Sequence, residues 1–114
     1  MLDTDPQNVA ITTATPGTGG DARARLTVAG ELDLATAPRL AHALHAVLDA
    51  GHDVELELSG LRFIDSSGIR VLVHGWQSFA DAGRTFVLRP PLPAQMRKVL
   101  EVAGLLERLP IDSP

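Results

Sequence analysis

The sequence predicts an α/β domain, with a mixed β-sheet of four to five strands and three to four helices mainly on one face. Strand-like segments alternate with segments whose apolar residues recur at helical spacing, and this order indicates parallel strand pairs joined by helical crossovers. Residues 54–58 alternate three apolar side chains with Glu55 and Glu57, so we expect the two carboxylates on one face of this strand. A strand covered by helices on both faces would not tolerate them. The opposite face of the sheet is therefore predicted to be solvated.

Length and composition limit the class of protein. The 114 residues are predicted to form one domain, residues 1–114, which is long enough to bury a core. The absence of cysteine excludes disulfides, a thiolate nucleophile and a cysteine zinc site. A net charge of -4 argues against a nucleic-acid partner, which would require a basic face. No apolar run reaches the roughly 20 residues of a membrane span, and the first residues do not resemble a secretory signal. We expect a cytoplasmic protein that binds neither nucleic acid nor membrane.

The first two strands are predicted at residues 9–12 and 24–30, as an antiparallel hairpin. Residues 14–23 between them are rich in glycine and polar residues and are expected to form a flexible loop, so that the core spans about 24–109. The loop lacks the Gly-Lys-Ser/Thr ending of a phosphate-binding loop. We therefore assign no nucleotide to it.

The helices are predicted from apolar periodicity and from their end signals. The first starts after Thr36, a good N-cap with Pro38 in the first turn, and stops at Gly51. The second runs from about Ser66 to residue 82, and the third covers 93–103. Strands are expected at 54–58 and 85–89, and residues 106–109 are a candidate edge strand.

The candidate site is the segment Asp65-Ser66-Ser67-Gly68, between a strand and the second helix. Ser66 or Ser67 could cap the helix, with Asp65 favouring its dipole, or a serine could be a nucleophile or a phosphate acceptor. Asp33 is a second acidic residue between a strand and a helix, and it could equally be a turn or capping residue.

Catalysis by the chain itself is not expected. A serine nucleophile needs a base within reach, and His74 lies almost two helical turns beyond Ser67. The Gly-x-Ser-x-Gly elbow is absent. His42 and His45 share a helix face, but no third ligand accompanies them, so no metal site is predicted.

Three motifs in order give the chain a resemblance to a known family. Residues 28–37 contain the turn Gly-Glu-Leu-Asp, residues 58–69 end in Phe-Ile-Asp-Ser-Ser-Gly-Ile, and residues 96–105 form a final helix with its glycine stop. The chain resembles the STAS family, and in particular the small stand-alone anti-sigma factor antagonists of bacteria. The resemblance covers about residues 24–109 and implies a STAS-type sheet.

The resemblance implies a switch in transcription regulation and stress signalling. It implies that Ser66 accepts phosphate from a partner that is both a serine kinase and an anti-sigma factor. The unmodified form would bind this partner and release the sigma factor, phosphorylation would block binding, and a phosphatase would restore it. Asp33 would help kinase recognition, and Asp65, Ser67 and Gly68 would complete the contact surface. ATP and magnesium would belong to the kinase, so the chain itself needs no cofactor and is expected to be a monomer.

Two alternatives remain open at this point. Related domains serve as scaffolds in stress-signalling assemblies or as accessory subunits of lipid or anion transporters, without a phosphorylation switch. A small enzyme that uses Ser66 or Asp65 covalently is the other possibility, although it lacks a base.

Overall fold

The computed structural model describes residues 9–15 and 23–111 and contains one four-stranded mixed sheet. Its strands are β1 (Val9–Ala14), β2 (Arg23–Leu32), β3 (Asp53–Ile64) and β4 (Phe86–Arg89), in the spatial order β1-β2-β3-β4. The first pair is antiparallel and the other two pairs are parallel, as the order of elements predicted. The expected loop at 14–23 is shorter, because Ala14 and Arg23 belong to strands. Residues 16–22 lie outside the described part of the chain.

Three helices, α1 (Ala37–Asp49), α2 (Ser66–Asp81) and α3 (Ala94–Val102), pack with the sheet around one hydrophobic core. Each ends two residues before a glycine, and for α1 this is Gly51, the predicted stop. Alternate residues of the central strands are buried in this core together with one stripe from each helix. The core includes Leu26, Val28, Leu56 and Leu58 of the sheet and Leu40, Leu44, Leu72, Phe79, Met96 and Leu100 of the helices. Among the described residues, no helix has the length and apolarity that a membrane span would need.

The predicted edge strand at 106–109 is wrong. The backbone turns there instead, with the amides of Arg108 and Leu109 both donating to the Leu105 carbonyl at 3.0 Å. Leu109 is buried in the core, so the turn points it inward. The chain reaches the sheet only at Ile111, which forms a single parallel bridge with Leu88.

The strand that precedes the candidate site is longer than expected. β3 does not end at Leu58 but continues to Ile64, so that only Asp65 separates it from α2. Gly60 permits this continuation, because a Cβ there would lie 3.0 Å from the Ala29 Cβ of the neighbouring strand. The expected acceptor loop is thus a strand-to-helix junction of one residue.

The open face of the sheet was predicted to be solvated, but Glu55 on this face is buried. Glu57 is half-buried, but Glu55 is buried, with only 6% of its surface exposed, although the adjacent apolar residues are buried further. Three arginines on the flanking strands cover its carboxylate, with Arg25 Nε at 2.6 Å, Arg89 Nη1 at 3.3 Å and Arg23 Nη1 at 3.4 Å. Alternation along one strand could not reveal this cover, because it comes from side chains of the neighbouring strands.

Candidate functional site

The two acidic turns of the sequence meet at one edge of the sheet. Leu32, the last residue of β2, pairs with Ile64, the last residue of β3. The Asp65 amide also donates to the Leu32 carbonyl at 3.1 Å. Since parallel neighbouring strands end side by side, Asp33 and Asp65 occupy equivalent positions just beyond the sheet. The edge of the sheet thereby brings together the sequence-predicted residues Asp33, Asp65, Ser66, Ser67 and Gly68.

The turn between β2 and α1 is held by its own side chains. The Asp33 Oδ1 atom accepts from the amides of Ala35 and Thr36, both at 3.0 Å. Thr36 lies at the N-cap position, as predicted, but its hydroxyl makes no capping bond to the helix. It donates to the Glu31 carbonyl and accepts from the Asp33 amide, both at 2.8 Å, and it is completely buried. Asp33 and Thr36 therefore fix this turn from within.

The helix α2 is capped by Asp65. Its Oδ1 atom accepts from the Ser67 amide at 2.8 Å and more weakly from the Gly68 amide at 3.4 Å. Its backbone is extended, as an N-cap requires, with φ -114° and ψ -170°. The capping role that the sequence left to Ser66 or Ser67 thus belongs to the aspartate, which leaves the serines free for another role.

The two serines differ in accessibility. Ser66 is the first residue of α2 and is exposed, whereas Ser67 is half-buried. A negative group attached at Ser66 would lie at the positive end of a 16-residue helix, where the dipole favours it. Ser66 is the more accessible of the two hydroxyls.

Gly68 brings the start of α2 close to the sheet. A Cβ at this position would lie 2.8 Å from Ile64 Cγ1 and 2.8 Å from Leu32 Cδ2, which is closer than carbon atoms can pack. Gly68 is buried, so its role in the structure is to let the helix start rest on the ends of β2 and β3. Its contact with a partner stays a prediction.

The histidines lie elsewhere. His45 and His74 line a largely apolar groove of about 320 Å³ between α1 and α2. In the part of the chain that the structure describes, no three acidic or histidine side chains are grouped as a metal site would require. The groove is separate from the edge that carries Ser66, because none of residues 33 and 65–68 lines it.

Sequence reasoning missed one residue of this edge. Leu34, at the tip of the turn after β2, is 78% exposed although it is a large aliphatic side chain. In the sequence it looks like any other apolar residue between a strand and a helix. Only the folded turn shows that it points away from the core.

The chain is a small α/β domain with one mixed sheet. The turn after β2 and the junction after β3 lie side by side at one edge of this sheet. A family model described as "Mlab, STAS domain" matches residues 18–110, and the chain belongs to the STAS family. Among curated proteins, none matches this chain.

Solved structures share the fold over nearly the whole chain. An anti-sigma factor antagonist from Mycobacterium paratuberculosis is similar with a TM-score of 0.79 and 23% identity, over 96% of this chain and 90% of that one. The anti-sigma factor antagonist SpoIIAA in its unphosphorylated form gives 0.66 and 18%, over 92% and 89%. The Bacillus cell fate determinant SpoIIAA in its phosphorylated form gives 0.66 and 19%, over 91% and 92%. At these identities the likeness establishes a STAS-type fold.

Proposed function

We propose that this chain is an anti-sigma factor antagonist that is switched by phosphorylation of Ser66. The unphosphorylated form binds an anti-sigma factor that is also a serine kinase, and the sigma factor is released. Phosphorylation ends this binding and a phosphatase reverses it. The observation that carries the proposal is the exposed Ser66 hydroxyl at the first position of α2, beside the Asp33 turn. Membership of the STAS family, and a fold shared with a protein known in phosphorylated and unphosphorylated forms, support it.

Phosphorylation at this position would change the surface and spare the fold. A phosphate adds about -1.5 to -2 charges, and an exposed first-turn position next to the helix dipole accommodates them. The same charges join the carboxylates of Asp33 and Asp65 at one edge. A contact surface that fits the bare Ser66 hydroxyl closely would have to bury this phosphate, and the cost of desolvating its charge would then oppose binding.

The proposal assigns different parts of the reaction to the two proteins. The kinase supplies ATP, magnesium and the catalytic base, and this chain supplies the acceptor hydroxyl on a fixed helix start. Asp33, Asp65 and Ser67 surround the acceptor and contribute to recognition, while Gly68 sets the position of the helix. In this proposal the chain acts as a cytoplasmic monomer, binds no cofactor and catalyses no reaction.

The test is phosphorylation by purified kinase-type anti-sigma factors encoded in the source genome, with ATP and magnesium. We expect one phosphate, mapped to Ser66, none on the variant Ser66→Ala, and normal incorporation in the matched control Ser67→Ala. Ser66→Ala should bind the kinase persistently, and Ser66→Asp should bind weakly. Phosphate only on Ser67, or equal binding of the phosphorylated and unmodified proteins, would contradict the switch. Phosphate on the pure chain without kinase would contradict the absence of catalysis.

A second candidate is a STAS module that works in a larger assembly without a phosphorylation switch, as a scaffold or as a transporter accessory subunit. The same geometry is consistent with it, because the Asp65 cap accounts for the conformation of residues 65–68 without any modification. This candidate would be preferred if no anti-sigma kinase modified Ser66 and if Ser66→Asp left binding to the assembly unchanged.

A further inference from the structure

Leu34 is an exposed apolar side chain on a hydrogen-bonded turn. The described residues include three large hydrophobic side chains with high exposure, namely Leu34 at 78%, Val102 at 83% and Phe63 at 39%. Single exposed apolar residues are common and by themselves indicate nothing. Leu34 differs from Val102 in its surroundings, because it follows Asp33 directly and lies on the edge that carries Asp65 and Ser66.

The turn that carries Leu34 is rigid. Two backbone amides of the turn donate to the Asp33 carboxylate. The buried Thr36 hydroxyl accepts from the Asp33 amide and donates to the Glu31 carbonyl. The backbone that carries the Leu34 side chain is therefore held in one conformation before any partner arrives. Binding then costs only the rotamer entropy of the side chain and no ordering of the loop, so most of its apolar burial contributes to affinity.

We infer that Leu34 is the apolar anchor of the partner-binding surface, which we define as Asp33, Leu34, Asp65 and Ser66. The occupant is the anti-sigma kinase, so the inference rests on the proposed function. Its contact area should hold an apolar recess for Leu34 and hydrogen-bond donors for Asp33 and Asp65, packed so closely around the unmodified Ser66 hydroxyl that a phosphate there would be buried without a partner. Charge complementarity selects this partner over a second copy of the chain, since a symmetric dimer would bring four carboxylates together.

The anchor and the switch make separable contributions. The carboxylates and the phosphate act through charge, which salt screens at exposed positions, whereas burial of Leu34 does not depend on charge. Substituting Leu34 should therefore weaken binding by a similar factor at low and at high salt. Asp33→Asn, which keeps the Oδ1 acceptor of the turn and removes the charge, should matter less as the salt concentration rises.

The experiment compares Leu34→Ala with the matched control Val102→Ala, which removes an equally exposed apolar side chain from α3. The probe is the purified kinase-type anti-sigma factor that phosphorylates Ser66, and the readout is the Kd at two salt concentrations. Losing about three buried carbons should weaken binding at least about tenfold for Leu34→Ala, by less than about twofold for Val102→Ala, and only slightly for Leu34→Met. Both alanine variants should melt like the wild type, because neither side chain is in the core.

The binding results separate the role of Leu34 from the proposed function. If Leu34→Ala binds like the wild type while Ser66→Asp still loses affinity, the anchor is refuted and the proposed function stands. If the unmodified wild type binds no anti-sigma kinase, the proposed function fails and the anchor falls with it. If the wild type forms a dimer that Leu34→Ala abolishes, the occupant is a second copy, and the inference is overturned.

Discussion

The buried carboxylate of Glu55 gives the sharpest test of how the sheet is stabilised. Glu55 is the third residue of β3 and contacts Arg25 of β2 and Arg89 of β4, so one side chain connects three strands. The variant Glu55→Gln keeps the shape of the side chain and removes its charge. Three guanidinium groups would then surround a neutral amide, whose NH2 group cannot accept their hydrogen bonds.

The expected loss follows from the exposure of the partners. Removing one member of a fully buried ion pair costs about 3–5 kcal/mol, and a hydrogen bond to a charged group contributes about 1.5–3 kcal/mol. The side chain of Glu55 is only 8% exposed, but those of Arg23, Arg89 and Arg25 are 28%, 40% and 53% exposed, so water screens part of their charge. We expect Glu55→Gln to lower the free energy of unfolding by about 2 kcal/mol at pH 7, and Tm by roughly 8 °C.

The pH dependence gives the same cluster a second signature. Burial raises the pKa of the Glu55 carboxyl. This effect is outweighed by the hydrogen bond and charge of Arg25, the charge of Arg89 and the hydrogen bond of Arg23, so the pKa lies below its ordinary value of 4.5. A carboxyl whose pKa is lowered by folding stabilises the native state above the unfolded-state pKa. This stabilisation is lost as the pH falls through the folded-state pKa. The difference between wild type and Glu55→Gln should therefore be full at pH 7 and shrink below about pH 4.5.

The assay is urea unfolding of wild type, Glu55→Gln and the control Glu57→Gln between pH 3 and pH 7. Glu57 is on the same strand, but its described ion pair with Arg89 is long, at 4.0 Å, and partly exposed. Glu57→Gln should cost less than about 1 kcal/mol. Equal losses for the two variants, or a loss for Glu55→Gln that stays constant with pH, would refute the stabilising role of the cluster.

Three further predictions concern the candidate site, and urea unfolding with kinase binding checks each. Gly68→Ala should lower the free energy of unfolding by about 1–3 kcal/mol, because the new Cβ overlaps two core side chains. The control Ser66→Ala, in the same turn, should change it by less than about 0.5 kcal/mol. Equal losses would contradict the packing account. Asp65→Ala should cost about 0.5–2 kcal/mol as the α2 cap is lost, and Asp65→Asn should retain most of that stability; similar losses for both would show that the cap is not the cause. Thr36→Val keeps the volume of the side chain but leaves the polar groups of the turn unpaired. It should lower the free energy of unfolding by about 1–3 kcal/mol and weaken kinase binding, because the turn is loosened. Unchanged binding would argue against the need for a rigid turn.

The sequence predicted those features that depend on local pattern. Apolar alternation and helix-stop glycines identified four strands and three helices, and the order of elements gave the mixed sheet. The motif at 65–68 and the turn at Asp33 were found as separate segments, and the parallel pairing of Leu32 with Ile64 brings them together.

Features that depend on neighbouring strands or on the final burial could not be predicted. Glu55 looked solvated because its covering arginines lie 30 or more residues away in the sequence. The turns at 106–109 looked like a strand because both arrangements can bury Leu109. The exposure of Leu34 depends on a turn held by Asp33 and Thr36, and apolar periodicity carries no information about it.

The site combines a hydrogen-bonded frame with the exposed hydroxyl of Ser66, and the proposed phosphorylation switch requires this separation. To change a partner from mostly bound to mostly free, the modification must alter affinity by at least about 100-fold, or about 2.7 kcal/mol. If the phosphate also strained the fold, part of that free energy would appear as lower stability. At this edge the stabilising bonds belong to Asp33, Thr36 and Asp65, while the exposed Ser66 is placed where the helix dipole favours an added negative charge. The free-energy change on phosphorylation should therefore appear almost entirely in the contact with the partner. Phosphorylated protein should unfold within about 1 kcal/mol of the unmodified protein while its affinity for the kinase falls at least about 100-fold.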